Sequence, residues 1–95
     1  MSKARTHLEA KHLEQIPNVG PAVAADMRGI GIHEPRQLIG RDPYELYKLS
    51  SARAGAPQDP CVCDTYIAAV RFMEGAPPHP WWHYTAERKR TLTRR

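Results

Sequence analysis

At 95 residues, 41% hydrophobic and 25% charged, the chain has the make-up of one small globular domain and leaves no room for a multi-domain enzyme. No apolar run approaches the roughly 18 residues a membrane span needs, and the opening MSKARTHLEAKHLEQ lacks the apolar segment of a secretory signal, so a cytoplasmic location is expected. The formal charge is +4, yet residues 1–84 balance nine Lys/Arg against nine Asp/Glu, so the whole excess lies in residues 85–95.

Helix signals recur along the chain and nothing alternates as a strand does, which predicts an all-α fold of about five short helices. The first helix is expected over residues 6–15, with Leu8, Leu13 and Ile16 inward. Thr6 and Glu9 stand at the spacing of a capping box. The run IPNVGPAVAADMRGIGI, residues 16–32, then breaks and restarts the helix. Pro17 disfavours helical backbone at Ile16, Asn18 and Gly20 suit a turn, and Pro21 fits the first turn of a new helix. That second helix is expected over 21–28, with Gly29 at its end. Helix, tight turn and helix in this order predict a helix-hairpin-helix.

A third short helix is expected over 34–39, closed by Gly40. The fourth has the clearest start: Asp42 as cap, Pro43 first, Glu45 three beyond the cap, and Gly55 after the last residue at 54. Tyr44, Leu46, Tyr47 and Leu49 supply its apolar contacts, and the Tyr47 hydroxyl needs a partner. Asp59-Pro60 repeats the device for a fifth helix over 60–74, stopped by Gly75. Cys61, Thr65, Ala68 and Phe72 share one face, which Val62, Tyr66, Ala69, Val70 and Met73 broaden; so wide an apolar sector marks the central packing element. Residues 77–84, APPHPWWHY with its first residue at 76, read as a proline-stiffened aromatic clasp, with one tryptophan packed back on the body. The domain thus spans 1–84, and residues 85–95 form a basic C-terminal tail.

Four chemistries can be weighed on these residues. A helix N-terminus offers unpaired N–H groups and partial positive charge to an anion, and Gly20 lets a phosphate approach closely. The amides around Asn18, Val19, Gly20, Ala22 and Val23, helped by Arg88, Lys89 and Arg90, therefore point to sequence-independent nucleic-acid binding. Against this stand Pro21, which removes one donor, and Ala22, where a cation is expected in a phosphate binder. A metal site from Cys61, Cys63, His79 and His83 fails on a helix, because residues two apart point about 200° from each other. Cys61 at a helix start can have a lowered thiol pKa, but no base is placed beside it, so no enzyme activity, cofactor or metal is expected. Trp81 and Trp82 supply either a stacking platform for bases or a contact for a protein partner, which makes a scaffold the alternative function.

The same blocks, IPNVGPAVAADMRGIGI, DPYELY, DPCV opening the last helix and WWHY after it, resemble the small bacterial pathogenicity-locus or mitomycin-resistance proteins. The resemblance covers residues 13–84. It implies a compact helical domain with a helix-hairpin-helix or SAM-like N-terminal half, and GIGI at 29–32 then looks like a second hairpin. It implies DNA binding and supplies no mechanism.

Overall fold

The computed structural model describes residues 2–94, which contain four α-helices and no strand. They are α1 (Pro21–Gly29), α2 (Pro43–Ala54), α3 (Pro60–Met73) and α4 (Thr85–Arg94), joined by 3-10 turns at His7–Glu9, Leu13–Gln15, Pro35–Leu38 and Trp81–Tyr84. The all-α expectation holds.

Helix α3 is the centre. Between Cys63 and Met73 every side chain but Arg71 is buried, so the other elements wrap it rather than line one side. Leu13, Ile16 and Val19 from the N-terminal segment meet Met27, Ile32, Leu38 and Leu46 against Tyr66, Val70 and Phe72 in the main core. A second cluster joins Tyr44 and Tyr84 to Cys63, Ile67 and Ala68.

Helix α2 matches its local signals. Asp42 Oδ1 accepts the Tyr44 N–H at 2.9 Å, and Gly55 at φ 82° ends the helix. Tyr47 gives its hydroxyl to the Gln58 carbonyl. Asp59 precedes α3 in the same sequence context but makes no side-chain cap bond. Leu49, expected inward, is exposed.

The first expected helix is absent. Residues 6–15 fold as two 3-10 turns, and Leu8, expected inward, is 75% exposed. Of this stretch the turns bury only Leu13, too little apolar surface to hold an isolated ten-residue helix. Gln15 Oε1 instead takes the N–H groups of Lys11 and His12 at 2.8 and 2.9 Å, and Thr6 caps nothing with its side chain. The expected helix over 34–39 is likewise a 3-10 turn.

The end of α1 lies further on than expected. Gly29 is helical, and the reversal falls at Gly31, φ 92°, where the Ile32 N–H reaches back to the Met27 carbonyl at 2.9 Å. Ile32 is thereby buried beneath the helix it follows. Residues 85–94, read as a basic tail, form α4, docked on α3 and on the Trp81–Tyr84 turn. Arg95 lies outside the described residues.

Candidate nucleic-acid interface

The turn at residues 16–20 leads into α1. Asn18 adopts φ 73°, a left-handed conformation that asparagine tolerates better than most residues. Val19 is fully buried and its N–H is already bonded to the Ile16 carbonyl at 3.1 Å, so it offers no donor. Gly20 is the N-cap of α1, with extended backbone and open space where a Cβ would stand. Among the described residues, the N–H groups of Gly20, Ala22 and Val23 have no backbone acceptor, as expected of a helix start. Ala22 is exposed, and Val23 rests partly on the core.

A cation stands at this turn although none follows it in sequence. Lys3 Nζ donates to the carbonyls of Glu14 (2.8 Å), Ile16 (3.2 Å) and Val19 (2.6 Å). An ammonium has three donors, and these three bonds use them all. Partial burial pushes the Lys3 ammonium below the usual lysine range, against the pull of the Glu14 carboxylate. Glu14 is itself held by Arg28 at 2.8 Å, and that hydrogen bond keeps its carboxyl below the ordinary range.

Asn18 ties the turn to the far end of the chain. Its Nδ2 donates to the His79 carbonyl at 2.9 Å, and its Oδ1 accepts the Trp81 N–H at 3.2 Å. The aromatic segment is therefore a clasp at its first half. Trp81 is partly buried and meets Trp82 edge-on, whereas Trp82 is 63% exposed. His79 and His83 stack with centroids 3.9 Å apart and planes 9° from parallel, and Tyr84 meets both rings edge-on.

Helix α4 sorts its charges by face. Arg88 turns inward, and its Nε donates at 2.7 Å to Oδ1 of Asp64, a fully buried carboxylate on α3. The Thr85 hydroxyl donates to the other oxygen of Asp64 at 2.7 Å. Glu87 receives Arg71 at 2.8 Å and the Tyr44 hydroxyl at 3.2 Å. Burial raises the Tyr44 and Tyr84 phenols above their ordinary pKa. Lys89, Arg90 and Arg94 are exposed; Arg90 and Arg94, four residues apart, share a face turned away from Arg88, and Lys89 stands to one side of it.

Of the residues singled out by sequence, the structure thus offers Gly20, Ala22 and Val23 as donors at the turn, and Lys89 and Arg90 as exposed cations on α4. Asn18 and Arg88 spend their side chains inside the protein. Among the described residues, the hydrogen bonds that tie the chain's end to the turn come from His79 and Trp81 rather than from the α4 cations. Two further residues enter the interface. Arg94 follows from the helical spacing of the tail once that tail is read as helix. Lys3 has no sequence signal, since its acceptors are backbone carbonyls more than ten residues away.

Residues 60–64 are helical, so Cys63 is buried among aromatic and aliphatic neighbours while Cys61 stands partly open on another side. Among the described residues no group of three His, Cys, Asp or Glu side chains is gathered as a metal site would need, and no helix is long and apolar enough to cross a membrane.

The family model of the Cdd1 pathogenicity locus matches residues 6–90. The chain is 49% identical over 87 residues to the mitomycin resistance protein McrB of Streptomyces lavendulae, covering 92% of this chain and 83% of that protein. No solved structure matches it.

Proposed function

Because this chain belongs to the pathogenicity locus family, we propose that it is a non-enzymatic cytoplasmic module that binds DNA weakly and without sequence preference. Residues 13–29 act as a helix-hairpin-helix whose first helix is shortened to one 3-10 turn. The N–H groups of Gly20, Ala22 and Val23 receive a phosphate, and Lys89, Arg90 and Arg94 supply the charge. The observation that carries this reading is the sorting on α4: its inward cation is neutralised by Asp64, while Lys89, Arg90 and Arg94 stay exposed, the last two on one face. Such contacts reach the sugar-phosphate backbone, which carries no base information.

Binding is measured on duplex and single-stranded oligonucleotides as salt is raised. Three phosphate contacts predict log–log slopes of about −3 for duplex and about −2 for a single strand. The K89Q/R90Q/R94Q variant flattens the slope and keeps the fold, since these side chains are exposed. Absence of any binding at low salt overturns the reading. The relative's name is carried over as a phenotype: a host lacking this protein becomes more sensitive to mitomycin.

One observation favours a second reading. The exposed Trp82 indole suits a protein contact, which makes the domain a scaffold. In that case Trp82→Ala abolishes self-association or partner capture while the salt-dependent binding persists.

A further inference from the structure

We propose that Lys3 is the positioning cation of the turn: its ammonium, bound to the Val19 carbonyl, charges the Gly20 N–H and makes it the strongest phosphate donor of the site. This deepens the proposed function and rests on it for the ligand. The bond between Val19 and Gly20 is a trans peptide, so its C=O and N–H point in opposite directions. A cation 2.6 Å from that oxygen therefore sits behind the peptide group, and an anion at the Gly20 N–H sits in front of it. Polarisation passes along one peptide unit, as it does in hydrogen-bonded chains. The other two carbonyls do not extend the effect. Glu14 is followed by Gln15, whose N–H is bonded to His12, and Ile16 is followed by Pro17, which has no N–H.

Local charge favours the same role. Arg28 pairs with Glu14, so among Lys3, Glu14 and Arg28 one positive charge is left over beside the turn. That charge replaces the cation absent at Ala22. Lys3 has no donor left for the phosphate and touches it only through the peptide, so it positions and charges the site without contacting ligand.

The test uses wild-type protein and the K3M and K3R variants, with amide resonances followed during titration by inorganic phosphate and by a short thymidine oligonucleotide. In the free K3M protein the Gly20 amide proton moves upfield, while Ala22 and Val23, whose preceding carbonyls Lys3 does not touch, stay in place. Affinity for either probe falls on the order of fivefold, and K3R, which keeps the charge, recovers most of it. For K3A, methylammonium restores the Gly20 shift and tetramethylammonium, too large for the three carbonyls, does not. Equal affinities and an unmoved Gly20 amide in K3M overturn the inference, as does joint movement of Gly20, Ala22 and Val23, which marks a purely structural lysine. If phosphate binds at Gly20 but the oligonucleotide does not bind at all, the DNA reading fails and the role of Lys3 stands.

Discussion

The two halves of the proposed interface are held in place by different physics. The turn at residues 16–20 is fixed by apolar burial: Leu13, Ile16 and Val19 are wholly inaccessible and sit in the main core. The α4 arm buries no side chain of its own and docks through polar pairs, Arg88 and Thr85 on Asp64, and Arg71 and Tyr44 on Glu87. The turn should therefore persist wherever the domain persists. The arm depends on ionisation as well, and can open while the body stays folded. The half that offers neutral amides is rigid, and the half that offers charge is conditional.

Removing one side chain from each half measures the difference. Ile16→Ala should cost about 2–5 kcal/mol, because a close-packed site cannot collapse around the deleted atoms. The loss should appear as global unfolding by urea, with little dependence on salt. Asp64→Asn should cost roughly 1.5–3 kcal/mol through weakened charge-assisted bonds to Arg88, whose side chain is only 14% exposed. Here amide exchange should accelerate over residues 85–94 before the core opens. Adding Arg88→Met to Asp64→Asn should cost less than the two changes summed, since the unpaired cation is gone. Strict additivity, or equal exchange in core and arm, would erase the distinction.

Alkaline pH probes the same contrast. Burial raises the pKa of Tyr44, Tyr66 and Tyr84 above that of free tyrosine. The unfolded chain then loses its phenolic protons near pH 10 while the folded chain keeps them, so stability is intact below about pH 10 and falls as pH climbs through the folded values. Two of the three phenols border the arm, and an ionised Tyr44 would face the Glu87 carboxylate it now hydrogen-bonds. The arm should open first, seen as tryptophan fluorescence changing at lower pH than far-ultraviolet circular dichroism. Tyr44→Phe should move that first transition upward. A single coincident transition would mean that arm and body unfold as one.

What the sequence revealed follows the same division. Asp42-Pro43 and Gly55 announce α2 because caps are local, and the broad apolar sector of residues 61–73 announces α3. The left-handed Asn18 was readable from residue type alone. The docked arm was not, because α4 has no apolar stripe for periodicity to detect. One clue existed: Asp64 is a lone carboxylate inside that apolar sector, and a buried charge needs a partner. Its partner, Arg88, stands 24 residues further on, in what reads as a solvated tail. Helix 6–15 misled in the opposite way, since Leu8 kept helical spacing with nothing to pack against. Lys3 left no trace at all, because carbonyl oxygens carry no side-chain signature.

The smallest expected effect belongs to the residue that joins the two halves. Asn18→Gly keeps a left-handed φ accessible and deletes only the bonds to the His79 carbonyl and the Trp81 N–H. It should cost about 1 kcal/mol, the net worth of ordinary hydrogen bonds. Asn18→Ala should cost roughly 1 kcal/mol more, because alanine meets the Cβ penalty of left-handed backbone. The pair therefore separates tether from turn. If one DNA strand engages both the Gly20 amides and the α4 cations, loosening the tether lowers the effective concentration of one contact for the other, and Asn18→Gly weakens binding beyond its effect on stability. If the arm binds alone, the variant leaves affinity unchanged, and the rigid half of the interface serves only to hold the fold.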